Sequence, residues 1–258
     1  VKRSWFSRWY GYRMSKPNSR QLIPEFISKY GLDVNEFAEN ADSFASFNDF
    51  FVRRLKPATR PISQAEDVAI FPADGRHMGF KDLSDLEGVF VKGQSFDLKN
   101  LFGSVEAAAP FERGTIVISR LCPVDYHRFH YPCSGEASAP VLINGGLSSV
   151  NPIALRRDLS IFWQNKRNLS YIDTDEFGRI ASFEVGATCV GSMTYEKSLP
   201  SFVEKGEEKG FFSFGGSSVL TLFEPERILL ADDLLEHSAY NRELYARMGE
   251  TMGYCPNK

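Results

Sequence analysis

The stretch Phe211-Phe-Ser-Phe-Gly-Gly-Ser-Ser-Val-Leu220 places strand-forming residues on both sides of a glycine pair and a serine pair. Phe211, Phe212 and Phe214 precede the glycines, and Val219, Leu220, Leu222 and Phe223 follow the serines. Aromatic and β-branched side chains suit the pleated, half-buried surface of a sheet, so the reading is strand, tight corner over 215–218, strand. The corner carries chemistry of its own. A glycine pair adopts backbone angles closed to other residues and leaves the Gly216 carbonyl uncrowded. The hydroxyl of the next residue, Ser217, reaches that carbonyl through a five-membered ring and converts the amide to an ester; β-elimination then leaves a dehydroalanine that hydrolyses to a pyruvoyl group. Read alone, Gly-Gly-Ser-Ser is equally an ordinary turn.

Outward from this corner the strand-like pattern holds from residue 69 on. Ile70-Phe71, Gly79-Phe80, Val89-Phe90-Val91, Thr115 to Ile118, Val141 to Ile143, Ile180 to Val185 and Val219 to Phe223 are short apolar runs bounded by Gly, Pro, Asp or Ser. They predict an α+β fold with a strand-rich, partly closed barrel or sandwich core. Helical interruptions are expected over Pro152 to Trp163 and Leu234 to Met248. Short amphipathic helices are expected near the N-terminus. Ile23, Phe26, Ile27 and Tyr30 recur at helical spacing between Pro24 and Gly31, and Ser46 with Asp49 makes a capping-box pattern before Phe47, Phe50, Phe51 and Leu55, with Pro57 as the stop. The chain thus divides into a helical part, 1–62, and a strand-rich catalytic part, 63–258.

A length of 258 residues with 43% hydrophobic content is enough for one large domain with a full core. The net charge of −3 argues against a nucleic-acid partner held by bulk charge. Cys122, Cys133, Cys189 and Cys255 show no CxxC spacing and no secretion signal is visible, so reduced thiols on the cytoplasmic side are expected. No apolar run reaches the roughly 18 residues that span a bilayer. Residues 1–20 nevertheless hold six Lys or Arg, no acid and five aromatics, a mixture suited to the headgroup layer of an anionic membrane and equally to an arm that packs its rings on the domain. The run Arg53 to Pro61 adds four cations, read as a solvated helix end or as more of the same basic surface.

Ser217 needs a base, and His127 and His130 in Val124-Asp-Tyr-His-Arg-Phe-His130 are the candidates, with His77 and His237 in weaker contexts. Cys122, His127, His130 and Cys133 fall close together, but their spacing fits no common zinc pattern, so no metal is expected. Asp74 lies in Pro-Ala-Asp-Gly, where a turn-capping role competes with a catalytic one. Gly186, Gly191 and Ser192 either offer backbone donors to a substrate or mark close strand packing.

Four blocks in order carry a resemblance that covers nearly the whole chain: Phe71-Pro-Ala-Asp-Gly75, Arg120-Leu-Cys-Pro-Val-Asp-Tyr-His-Arg-Phe-His130, Val185-Gly-Ala-Thr-Cys-Val-Gly-Ser192, and Phe214-Gly-Gly-Ser-Ser-Val-Leu-Thr-Leu-Phe-Glu-Pro225. Together they resemble the phosphatidylserine decarboxylases, with Ser218 where many members have Thr. The resemblance implies self-cleavage between Gly216 and Ser217 into 1–216 and 217–258, a covalent pyruvoyl cofactor made from Ser217, and decarboxylation of the phospholipid through a Schiff base. It implies that Asp74, His130 and Ser217 form the self-processing triad, that His127 serves the decarboxylation, and that the processed protein is a peripheral membrane homodimer. Two other readings use the same residues: a pyruvoyl decarboxylase of a soluble amino acid, and a serine hydrolase that leaves its chain uncut.

Overall fold

The computed structural model describes residues 4–88, 96–187 and 193–256, and in it the apolar runs become strands. In chain order these are β1 (Val68–Ile70), β2 (Gly75–Phe80), β3 (Thr115–Leu121), β4 (Arg128–His130), β5 (Gly135–Ala137), β6 (Val141–Ile143), β7 (Arg167–Thr174) and β8 (Gly178–Gly186). There follow β9 (Met193–Tyr195), β10 (Ser201–Val203), β11 (Glu208–Phe212), β12 (Ser217–Phe223), β13 (Leu229–Leu230), β14 (Leu244–Ala246) and β15 (Thr251–Tyr254). The helices are α1 (Ser4–Met14), α2 (Ile23–Tyr30), α3 (Phe47–Phe51), α4 (Leu98–Phe102), α5 (Val105–Ala108), α6 (Pro152–Leu155), α7 (Ile161–Gln164) and α8 (Asp232–Ala239).

All the strand pairings described are antiparallel, and they make three sheets, none closed into a barrel. The large one runs β10-β5-β7-β8-β12-β3-β2-β14, with β6 also on β7; the small ones are β4-β11-β9 and β1-β15-β13. Register divides the residues of β12 between the two faces of the large sheet. Ser217 lies level with Leu121 and Gly186, and Val219 with Ser119 and Glu184, on one face; Ser218, Leu220 and Leu222 point to the other. That other face buries Leu220, Leu222, Phe183 and Ile118 against Leu101, Phe102 and Phe162 of the short helices. The Ser217 face meets the small sheets through Leu121, Val219, Phe129 and Phe212, and through Val117, Ile180 and Phe223 packed with Tyr131 and Met252.

A buried ion pair fastens β11 to this face. Lys209 Nζ lies 2.7 Å from Glu184 Oε1 and donates to Ser170 Oγ and Ser182 Oγ at 2.7 and 2.9 Å, while Tyr195 OH donates to Glu184 Oε2 at 2.7 Å. Both charges are buried, so their attraction matters only because each is also fully hydrogen-bonded. Lys209→Met strands the Glu184 carboxylate in the interior and is expected to lower stability by about 3–5 kcal/mol. Urea unfolding would measure this, and the double variant Lys209→Met/Glu184→Gln should recover a large part of the loss.

The N-terminal part packs as a layer of its own around Phe50 and Phe51, with Ile23, Phe37, Phe44 and Phe47. Helix α2 has the expected bounds and ends at Gly31 in the left-handed conformation, φ 63°. Helix α3 starts as expected, Ser46 Oγ accepting the Asp49 N–H at 3.1 Å and Asp49 Oδ2 reaching back to the Ala45 N–H at 2.8 Å, but it stops at Phe51, well before Pro57.

Other expectations need correcting. The expected corner at 215–218 is a crossing between layers, because β11 belongs to the small sheet and β12 to the large one. The expected helix over 234–248 is α8, which begins at Asp232 and ends by Tyr240; Asn241 turns left-handed, φ 56°, and the remainder becomes β14 on the edge of β2. Pro152 to Trp163 forms two separate turns of helix, the second started by Asp158 Oδ1 accepting the Ser160 N–H at 3.0 Å. Of the four cations between Arg53 and Arg60, two are buried: Arg53 is 5% exposed and Arg60 6%. The run Val89-Phe90-Val91 lies outside the described residues.

Candidate active site

Ser217 opens β12 with its side chain fully buried, and its Oγ has no hydrogen-bond partner among the described residues. Buried hydroxyls are almost always paired, and Ser217 shares its lack of a partner among the described residues with Ser218 and Thr221 of the same strand; it alone directly follows the glycine pair. Gly215 sits at φ 146°, a region glycine enters freely, and this is the position that requires glycine. At Gly216 a Cβ would come no nearer than 3.7 Å to Val150 Cγ2, so glycine is not forced there by space.

Two strands away, Gly75 lies against Leu121, where a Cβ would stand 2.7 Å from the Arg120 carbonyl oxygen. The glycine of Pro-Ala-Asp-Gly therefore lets β2 close on β3, and Asp74 precedes it at the Ser217 end of the sheet. His130 reaches the same end from β4, its N–H donating to the Pro72 carbonyl at 2.7 Å. The three residues thus gather at one end of the sandwich, yet they are not linked by hydrogen bonds in this arrangement. Asp74 Oδ1 and Oδ2 accept from Arg60 Nε at 2.9 and 3.1 Å, Oδ2 also accepts from Arg60 Nη2, and Oδ1 accepts the Met248 N–H at 2.9 Å. His130 Nδ1 is buried without a partner among the described residues. Burial pushes the His130 imidazole down to about 4, against the opposing pull of the Pro72 carbonyl and the Asp74 charge, so Asp74 acts on it through its field.

His127 is set differently. Its Nε2 lies 2.9 Å from the Cys122 carbonyl, which can only accept, so Nε2 carries the proton and Nδ1 is left as a buried, unpartnered lone pair. Burial pushes this imidazole down to about 3 and keeps it neutral. The ring stacks on Phe51 at 3.9 Å, and Phe51 meets Phe214 of the loop before Ser217 at 4.9 Å. The loop is gripped from the same layer by Asn48, whose Oδ1 accepts the Phe214 N–H at 2.9 Å.

His77 is a structural histidine: Nε2 donates to the Ala246 carbonyl at 3.2 Å and Nδ1 accepts from Ser119 Oγ at 2.9 Å. Gly186 lies directly across from Ser217, but its N–H is committed to the Lys166 carbonyl at 2.9 Å and is not free for a ligand. Gly191 and Ser192 fall outside the described residues. Asn165 donates to the Gly186 and Ser148 carbonyls at 2.9 and 2.8 Å, and Arg167 spends its guanidinium on the carbonyls of Leu101, Trp163, Asn165 and Asn100. Both brace the wall of the site. Among the described residues no three His, Cys, Asp or Glu side chains converge as metal ligands.

Sequence reasoning missed Asn48, Phe51 and Arg60. Phe51 reads as part of a helix face and Arg60 as one cation in a cationic run, while Asn48 carries no sequence signal of its own. Only their reach across layers distinguishes them, and no local pattern encodes it.

A family model described as phosphatidylserine decarboxylase matches residues 47–254. A phosphatidylserine decarboxylase proenzyme of Chlamydia trachomatis serovar L2 is 44% identical over 252 residues, covering 98% of this chain and 84% of the relative. Proenzymes of the same description from Fusobacterium nucleatum and Clostridium perfringens are 41% and 42% identical, each over 98% of this chain and over 84% and 86% of the relative. With a match of this extent spanning Asp74, both histidines and the Gly216-Ser217 bond, the chain belongs to the phosphatidylserine decarboxylase family.

Proposed function

We infer that this chain decarboxylates phosphatidylserine to phosphatidylethanolamine, using a group that it makes from its own Ser217. The observation that carries the reading is the buried Ser217 Oγ, without a hydrogen-bond partner among the described residues, immediately after the Gly215-Gly216 pair.

In maturation, His130 takes the Ser217 hydroxyl proton and Oγ attacks the Gly216 carbonyl carbon. The C–N bond breaks as Ser217 nitrogen is protonated, which leaves an ester and a free amine. Loss of the Ser217 α-proton then expels the Gly216 carboxylate. The chain separates into 1–216 and a fragment starting with dehydroalanine, and water replaces its nitrogen, releasing ammonia and leaving a pyruvoyl terminus on 217–258. Asp74, a fixed negative charge near His130, favours the imidazolium that forms when the proton is taken. The site fits the group, since Ser217 lies under a closed face from which bulk water is largely excluded.

The pyruvoyl ketone supplies an electrophile for the substrate amine and a sink for the electrons released with CO2. His127 Nδ1 is the lone pair that takes a proton and returns it to the former α-carbon. The substrate is reached from a membrane surface on the cytoplasmic side, and the first twenty residues support this: Trp9 and Tyr12 are exposed beside Arg13 and Lys16, and no described helix is long and apolar enough to cross a bilayer. On this reading 1–62 forms the membrane-facing part, 63–258 the catalytic part, and two processed protomers pair.

Purified protein offered phosphatidylserine in detergent micelles, and separately free serine, is expected to release CO2 from the lipid alone and to lose that activity on borohydride treatment with substrate present. Turnover of free serine without the lipid would point to a soluble amino-acid decarboxylase. No CO2 from either, with a fluorophosphonate labelling the uncut chain, would point to a hydrolase.

A further inference from the structure

We propose that Arg60 is a positioning residue for self-cleavage, acting through Asp74, and that it makes cleavage conditional on docking of the N-terminal layer. The proposal rests on the reading of Asp74, His130 and Ser217 as the maturation groups.

Arg60 follows the turn Pro57–Thr59 in a run that looks like solvent-facing charge, yet its side chain is 6% exposed. Each of its five N–H groups has an acceptor. Nε and one Nη2 proton go to Asp74, while Nη1 and the second Nη2 proton go to Glu36 Oε2 at 3.3 Å and to the Thr59 carbonyl at 2.8 Å. A planar fork on a carboxylate fixes orientation as well as charge. The fork therefore sets where the Asp74 charge lies relative to His130. A buried carboxylate stripped of this partner would be an uncompensated charge.

Glu36 is the second half of the device. It belongs to the N-terminal layer, where Arg247 holds its Oε1 at 3.3 Å and the Lys56 N–H donates to its carbonyl at 2.8 Å. The same layer grips the scissile loop through Asn48 and Phe51 and receives Arg128 of β4 on the Val52 carbonyl at 2.8 Å. One docking event thus seats both the bond to be cut and the acid of the triad. Cleavage is tied to completion of the fold.

The electrostatics give a signed expectation. Around Asp74 the cations are Arg60 and Arg53, the other acids are Asp125 and, behind Arg60, Glu36; His77, Tyr126 and Tyr245 face it uncharged, and His130 is the group it serves. His130 feels the positive charges of Arg128 and Arg60, both of which oppose its protonation, and removing Arg60 takes one of them away. The base is then protonated at higher pH than in the wild type. Cleavage that needs neutral His130 therefore retreats to higher pH.

The test follows appearance of the 217–258 fragment in freshly synthesised full-length chain across a range of pH. Arg60→Met is expected to cut about tenfold to a hundredfold more slowly at neutral pH, with its acid limb displaced upward. Arg60→Lys should restore the position of that limb while staying slower, because the fork is lost. If Arg60→Met does not fold, Arg60→Gln, which keeps a donor for one Asp74 oxygen, takes its place with the same expected displacement. Slowing by the same factor at every pH, or a wild-type profile, would overturn the proposal, as would a displaced limb in Arg60→Lys. Asp74→Asn separates the two levels. If it cuts normally, the triad reading fails; if it stays uncut while the Arg60 variants keep the wild-type pH profile, only the role of Arg60 fails.

Discussion

Ser217→Ala gives a chain that stays whole at 258 residues and releases no CO2 from phosphatidylserine above background. The variant has no Oγ to make the ester, and no neighbour replaces it. Ser218 lies on the opposite face of the sheet and follows the Ser217 carbonyl, so it cannot reach the Gly216 carbonyl through a five-membered ring. The fold should survive, because the Ser217 hydroxyl makes no hydrogen bond among the described residues, and removing an unpaired buried hydroxyl is close to neutral or mildly stabilising. Gel mobility and a melting curve together check this: an uncut band with an unchanged midpoint is expected. His130→Ala should likewise remain uncut. It also empties a buried site, so its midpoint is expected to fall.

His127→Phe, by contrast, should cut and then fail. Phe keeps the stack on Phe51 and therefore the support of Phe214 and the loop, while it removes the nitrogen that can accept a proton. Fragment 217–258 is expected at close to the normal rate, and decarboxylation is expected to fall by about 10²–10⁴, the usual contribution of a positioned proton-transfer group. Single-turnover CO2 release on fully cut protein measures it. His127→Ala should show the same split with slower cutting, since it also removes the stack. An uncut His127→Phe chain would assign His127 to maturation and exchange the roles of the two histidines.

Much of this site was readable in the sequence, and what was not has physical reasons. Ser217 announced itself because a turn and two strand-forming runs are local features. That these runs lie in different sheets was hidden, because sheet membership depends on partners such as Leu121 and Arg128, which are distant in the chain. Nothing local in Glu207-Glu208-Lys209 marks Lys209 as buried, and only the structure shows it paired with Glu184. Arg60 was misread in the same way: its burial depends on Asp74 and Glu36 meeting across two layers. Asp74 was found through its motif, but its bonds to Arg60 in place of His130 were invisible without coordinates. Phe51 reads as part of a helix face, and Asn48 gives no signal, yet both hold Phe214 of the loop before Ser217.

The intact mass of freshly purified wild-type protein under denaturing conditions tests most directly whether the Gly216-Ser217 bond is cut. The expected result is two polypeptides divided between Gly216 and Ser217, the smaller lighter by one ammonia than a serine-started peptide of residues 217–258 and able to trap an amine under borohydride. A single unbroken mass with Ser217 unmodified would contradict the account.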